Sequence, residues 1–382
     1  MNLTNRTSNL LLLFFSIAIS LAFLEGALQL LYGTSTRSDD FVWSCDKNDA
    51  YIEENECFGR FDNFAYTRYY SKAGYRPLEN WKGRGVRIND IGIRSDMTRQ
   101  ELSSINLTLF SGGSTAFGAG VKQADIYSNF VPNAETAGVG GYLFANEFDF
   151  IKDYLTDTLK PKVWVALSGW NDVYAAYRGF DYYTSPDMLS VQRALYTANI
   201  LYRNAYIPKV IQAQTTITPE KFSIKLVYVA AKIAELSGLI SVPNTTLQSN
   251  DFSYEQFWFR FKNEILTAKH FADLNQIKFV FALQPSLYVT KKELSSNEQK
   301  LLETYNKLFP NLDVHFKKFY PRLEKDLSDL SQQYDFPFIN TDLALEDVKE
   351  SAFVDHVHFG SIGNKALGLF LKKQLLDPVP IK

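Results

Sequence analysis

From residue 105 onward, short apolar runs alternate with longer stretches of helical periodicity. "INLTLF" (105–110), "KVWVALSG" (162–169), "IKFVFALQP" (277–285) and "FPFIN" (336–340) are continuous enough in apolar residues to predict buried strands. Between and after them, "EFDFIKDYLTDTL" (147–159), "SYEQFWFRFKNEILTAKHFADL" (253–274), "FYPRLEKDLSDLSQQY" (319–334) and "GSIGNKALGLFLKKQLL" (360–376) place apolar residues three and four apart and predict helices. Strands that alternate with helices predict a parallel sheet covered on both faces. Residues 61–104 are turn-rich, with a short strand expected near Val86–Ile88.

One connection breaks the rhythm. About 110 residues separate the strand ending near Ser168 from the strand starting near Lys278. A crossover helix uses only the last ~25, so residues 174–252 read as an insertion. Within it "VQRALYTANILYRNAY" and "FSIKLVYVAAKIAEL" have helical pattern. An insertion at the end of a sheet strand predicts a helical cap over the site.

The amino terminus has a different pattern again. "LLLLFFSIAISLAFL" (10–24) carries no charge, and after Glu25 the apolar pattern resumes to Tyr32. Residues 10–32 are long enough to cross a bilayer core at about 1.5 Å per residue. No small-residue cleavage site follows, so an uncleaved transmembrane anchor is expected rather than a signal peptide. Arg6 precedes the span and Asp39 and Asp40 follow it. That bias predicts a cytoplasmic tail at 1–9, with the remainder periplasmic or extracellular. The expected order is then a linker and amino-terminal segment at 33–104 and a catalytic-type domain at 105–382 that contains the insertion.

Composition narrows the function classes. A formal net charge of −2 on 382 residues gives no electrostatic footprint for nucleic acid. Phe, Tyr and Trp make up 15% of residues, which suits core packing and also the faces of sugar rings. The only two cysteines, Cys45 and Cys57, lie close together. Outside the cytoplasm they are expected to be bridged. With no CxxC and no histidine nearby, they do not predict a metal site.

The glycine-rich "SGGSTAFGAG" (111–120) directly follows the first strand. It is not a P-loop, because Ala119 and Gly120 stand where Lys and Ser/Thr belong, and it is not a dinucleotide turn, because Gln123 replaces the third glycine. A nucleophile turn fits better. Ser114 sits at the carboxyl end of a strand, where α/β sheets expose reactive groups. A serine needs a base, oriented by a third group. Of four histidines, His356 and His358 fall in "FVDHVHFGSIGN" after the last strand, and Asp355 precedes His358 by three residues. His358 is the expected base and His356 the alternative. "AGVGGYLFANE", with Gly140 and Gly141, and "LSGWNDV", with Asn171, offer donors for an oxyanion.

These four blocks, in this order, resemble the SGNH (GDSL-like) hydrolase superfamily: "GGSTAFG" with Ser114, "AGVGGY" with Gly141, "GWND" with Asn171, and "DHVH" with Asp355 and His358. "VRINDIGIRSD" resembles the N-x-x-G-x-R preamble of many membrane-anchored bacterial members. Two departures stand out: Gly113 replaces the acidic residue before the serine, and Thr136 stands where Asn is common. The resemblance implies a flavodoxin-like three-layer α/β/α sandwich. It implies Ser114 as nucleophile, Asp355 and His358 as its acid–base partners, and Gly141 and Asn171 in the oxyanion hole. It also implies acyl-ester chemistry on a carbohydrate or small ester without a cofactor. An O-acyltransferase acting on a polysaccharide, or a binding module that kept the fold, are the alternatives.

Overall fold

This computed structural model describes residues 20–21, 23–27, 67–70, 74–77, 79–83, 86–178 and 253–376. The chain divides into two compact units, Met1–Asp39 with Thr184–Gln248 and Asp40–Tyr183 with Ser249–Lys382. Nearly all described residues belong to the second unit. The expected anchor, the cysteine pair and the cap lie mostly or wholly outside them. Among the described residues no helix is long and apolar enough to cross a membrane.

Two small antiparallel ribbons come first: β1 (Thr67–Tyr70) with β2 (Gly74–Pro77), and β3 (Lys82–Gly83) with β4 (Val86–Arg87). The expected strand near Val86 is thus half of a hairpin. Helix α1 (Arg99–Ser103) follows, with Thr98 and Glu101 forming a capping box. The main sheet is five-stranded, β5 (Thr108–Gly112), β6 (Ala134–Thr136), β7 (Val163–Ser168), β8 (Lys278–Leu283) and β9 (Phe338–Asn340), in the order β6-β5-β7-β8-β9. All of its pairings are parallel. This is the 2-1-3-4-5 order of flavodoxin-like sheets, in which the strand order, not the strand direction, switches between β5 and β7.

Register explains the layers. Trp164 lies opposite Phe279, and Ala166 opposite Phe281, so these rings share one face of the sheet. Phe144 and Phe148 stack on Trp164 there, and Phe261 meets Phe281 edge-on. That face carries α3 (Phe144–Phe150), α4 (Trp170–Arg178), α5 (Tyr254–Leu274) and, after α6 (Ser296–Leu308), α7 (Leu312–Tyr334). Phe110 points to the opposite face, edge-on to Tyr127 at 5.0 Å. There the turn Tyr127–Phe130 packs against the closing helix α8 (Ser361–Leu376). Because both faces are covered, β7 and β8 are buried along nearly their whole length, which is why they read as unbroken apolar runs.

α3, α6 and α7 differ from expectation, and α1 and α4 fall where no helix was expected. α3 starts at Phe144 and continues through a π-helical turn, Ile151–Leu155. α7 begins at Leu312, so Pro321 falls in its interior. One buried stripe, Phe316, Phe319, Leu323, Leu327 and Leu330, continues past it, and tertiary packing outweighs the lost hydrogen bond. α6 was not expected, although a Ser295–Glu298 capping box opens it and Leu301, Leu302 and Tyr305 pack inward at helical spacing beside the buried Glu298.

Candidate active site

Strand β5 ends at Gly112 and the chain turns at once into α2, the single helical turn Ser114–Phe117. The turn is tight enough that side chains are excluded from it. A Cβ on Gly113 would collide with the Asn171 amide nitrogen, and one on Gly138 would strike the backbone of Phe117. The Asn171 amide therefore occupies the place where a side chain before Ser114 would begin. Arg94, 1% exposed, holds the far end of this turn. Its guanidinium donates to the carbonyls of Phe117, Gly118 and Val121 and to Gln123 Oε1. Thr136 adds a hydroxyl donated to the Ala116 carbonyl at 2.6 Å.

The second component is the loop 352–360. Phe353 and Phe359 pair as an antiparallel bridge, so the loop is a narrow hairpin with Asp355 and His358 at its tip. The i, i+3 spacing is thus realised in a hairpin and not in the first turn of α8, which begins at Ser361. Asp355 Oδ1 accepts the backbone N–H groups of Val357 (2.7 Å) and His358 (2.6 Å), and Oδ2 lies 2.6 Å from His358 Nδ1. His358 Nε2 lies 2.6 Å from Ser114 Oγ. An ionised carboxylate only accepts, so Nδ1 carries the proton toward Asp355, and in the neutral ring Nε2 accepts the Ser114 hydroxyl.

Burial pushes the Asp355 carboxyl up, but the charge and hydrogen bonds of His358 outweigh it and leave the group at about 2. His356, two residues away, has a different setting. It is 4% exposed, packed among Trp170, Tyr288, Tyr305 and Phe309, and its Nδ1 has no hydrogen-bond partner. Burial lowers it to about 4, so its ring is neutral near pH 7.

The tip of the hairpin is tied directly to the Ser114 turn. Thr115 Oγ1 donates to the Val357 carbonyl (3.1 Å) and accepts from Gln284 Nε2 (3.0 Å). The Leu287 N–H donates to the His356 carbonyl. Gln284 follows β8, so strands β5 and β8 and the loop after β9 meet at one point. Sequence reasoning passed over Thr115, Gln284 and Arg94, although Arg94 stands in the preamble segment it had noted.

The remaining candidates line the segments beside Ser114. Gly141 has φ +79° in a turn closed by Tyr142 N–H donating to the Val139 carbonyl, a conformation that favours glycine. Gly140 does not have a positive φ. Asn171, in the first turn of α4, donates one amide hydrogen to the Tyr142 carbonyl at 2.7 Å. This fixes the amide against Gly113 and leaves its second N–H available. Behind it, Asp172 accepts the Phe144 N–H, and burial with the nearby Glu264 charge raises its carboxyl to about 8.

No protein-family model and no curated protein sequence matches the chain. Among solved structures it is similar to a GDSL-like lipase from Bacteroides thetaiotaomicron, at 12% identity and TM-score 0.33 over 72% of this chain and 89% of that one. It is also similar to the acetyl xylan esterase AlAXEase, at 11% identity and TM-score 0.34 over 72% of this chain and 100% of that one. A third similar structure is a catalytic mutant of an acetylxylan esterase from Geobacillus stearothermophilus, at 11% identity and TM-score 0.33 over 72% of this chain and 96% of that one. Likenesses this distant carry no weight for function; the side-chain geometry does.

Proposed function

We propose that the chain is an SGNH-type serine ester hydrolase acting on a carbohydrate or small acyl ester. The observation that supports this reading most is the unbroken hydrogen-bonded line from Ser114 Oγ through His358 to the buried Asp355 carboxylate. It lies at the carboxyl ends of β5 and β9, where doubly wound sheets bind ligands. Ser114 Oγ attacks the ester carbonyl while His358 Nε2 takes its proton. Asp355 holds the tautomer and balances the imidazolium. The Ser114 N–H, the Gly141 N–H and the second amide hydrogen of Asn171 receive the developing oxyanion. His358 returns the proton to the leaving alcohol, and water then cleaves the acyl-enzyme by the same path in reverse. The sequence of residues 10–32 supports a membrane tether with this domain on the periplasmic or extracellular side.

The test is labelling by a fluorophosphonate probe, which requires an activated serine. The full chain in detergent is expected to label, Ser114→Ala is not, and short-chain aryl esters or acetylated sugars are expected to be cleaved. A folded protein that neither labels nor cleaves any of these refutes the reading. The topology is checked by fusing a reporter active only outside the cytoplasm after Lys382; an inactive fusion, or a protein freed from membranes by high salt, refutes the tether.

A further inference from the structure

The first strand of the hairpin that carries Asp355 and His358 is held by a buried carboxylate that takes no part in the chemistry above, while Asn364 Nδ2 donates to the Phe359 and Gly360 carbonyls on the other strand. Glu298, in the first turn of α6, is fully buried, and both of its oxygens are occupied. Oε1 accepts the backbone N–H groups of Ala352 (2.8 Å) and Phe353 (3.1 Å), the first two residues of the hairpin. Oε2 accepts Lys292 Nζ (2.8 Å) and the Ser295 N–H and hydroxyl (2.9 Å each). Lys292 is itself wholly buried, and its ammonium also donates to the Glu293 carbonyl. The Ser295 hydroxyl in turn meets Ser351 Oγ at 2.8 Å.

A helix-capping glutamate needs only the N-cap amide and hydroxyl. Nothing in that role calls for a buried lysine or for two amides from a segment more than fifty residues away. A buried ion pair is costly to desolvate and adds little net stability, so stability alone does not account for it. What the pair does supply is direction. A carboxylate anchored on one oxygen presents the other at a fixed place, and two consecutive N–H groups converge on that point. Asp355 is the second residue after Phe353, so an error at the root reaches the imidazole directly.

We propose that Glu298, held by Lys292, is a positioning residue that sets the depth and angle of the Asp355–His358 hairpin relative to Ser114. The inference rests on the reading of Asp355 and His358 as orienter and base. Glu298→Asp keeps the charge pair but shortens the arm by one methylene, so it cannot reach both Lys292 and the two hairpin amides. A misplacement of about 1 Å costs on the order of 10–100-fold in a positioned reaction. The expected result is a drop of that size in the labelling rate of Ser114 and in kcat, with KM little changed, in a protein that is still folded at 25 °C. Lys349→Ala, which breaks the exposed Lys349–Glu293 pair linking neighbouring segments, is expected to change nothing.

If wild type itself does not label, the esterase reading fails. If wild type labels and folded Glu298→Asp labels equally fast, the positioning role is overturned. One measurement needs no variant: in the wild-type chain the Ala352 and Phe353 amides are expected to exchange hydrogen at least a hundredfold more slowly than free loop amides. Exchange of these two amides at loop rates also overturns the proposal.

Discussion

Two carboxyl groups near the end of the sheet are equally hidden from water and are shifted in opposite directions. Asp355 is 0% exposed and Glu147 is 1% exposed. Burial alone raises both. Asp355 faces two backbone N–H groups and an imidazole, donors that only an anion satisfies, and it settles at about 2. Glu147 faces two hydroxyls, Ser111 Oγ at 3.1 Å and Ser168 Oγ at 2.6 Å, with another acid, Asp172, nearby. Hydroxyls can turn to accept as well as donate, so nothing there demands a charge, and burial holds the Glu147 carboxyl well above the usual range. The partner set, and not depth, decides the direction of the shift. Asp355 is equipped to balance a cation. Glu147 ties β5 to β7, the strands that lead to Ser114 and Asn171.

The strongest way to break this comparison is at the imidazole. His358→Ala removes the acceptor of the Ser114 hydroxyl and is expected to abolish fluorophosphonate labelling. His356→Ala is expected to retain most of it; the reverse pattern would show that the wrong histidine has been assigned. Next in size is Asp355→Asn. The amide cannot fix the Nδ1–H tautomer, and turnover is expected to fall by up to about 10⁴-fold. A loss below tenfold would mean that the Asp355 charge is dispensable. Asn171→Ala follows, with an expected loss of about 10²–10³-fold, on kcat more than on KM, because the oxyanion exists only in the transition state. Steady-state kinetics on one aryl ester separates the two parameters.

The smaller effects concern pH and stability. Asp355 is lower folded than its unfolded value of ~3.9. Its contribution is therefore present above that value and is lost as pH falls through about 2. Glu147 has the opposite sign. Its folded value is raised, so its contribution is full below the unfolded value of ~4.3 and is lost as pH climbs toward the folded value. Glu147→Gln removes that dependence. Its melting temperature is expected to gain on wild type between pH 5 and pH 8, by on the order of a few degrees. A gap that stays constant from pH 5 to pH 8 would show that the Glu147 carboxyl is not raised in the folded chain. Smallest is His356→Phe. The folded imidazole is depressed to about 4, so wild type loses stability as pH falls from ~6.5 toward that value. The variant is expected to match wild type at pH 8 and to melt higher at pH 5; equal melting at both would show that His356 is not held neutral.

Much of the architecture was legible along the chain because it follows from local pattern. Strands buried on both faces must be apolar throughout, so β5, β7, β8 and β9 announced themselves to within about three residues. The turn at Ser114 was visible because only glycine fits beside Asn171 and behind Phe117. α6 was not expected, although its Ser295–Glu298 capping box and the spacing of Leu301, Leu302 and Tyr305 are both helical signals. Nor was the start of α7, whose Pro321 reads locally as a first-turn residue.

By itself, then, the sequence determined the alternation of strands and helices, the tight turns and the residues able to do acyl chemistry, since these depend on neighbours within a few positions. Only the tertiary structure decided which of those residues meet. The Thr115–Val357 bond spans 242 positions, and the Ser114–His358 contact spans 244. Glu298 reaches the hairpin across more than fifty. The difference between His358 and His356, two residues apart, is likewise tertiary. One imidazole faces a carboxylate and a hydroxyl, and the other faces aromatic rings. Hydrogen bonding and desolvation act on atoms brought together in space, and chain spacing carries no record of that.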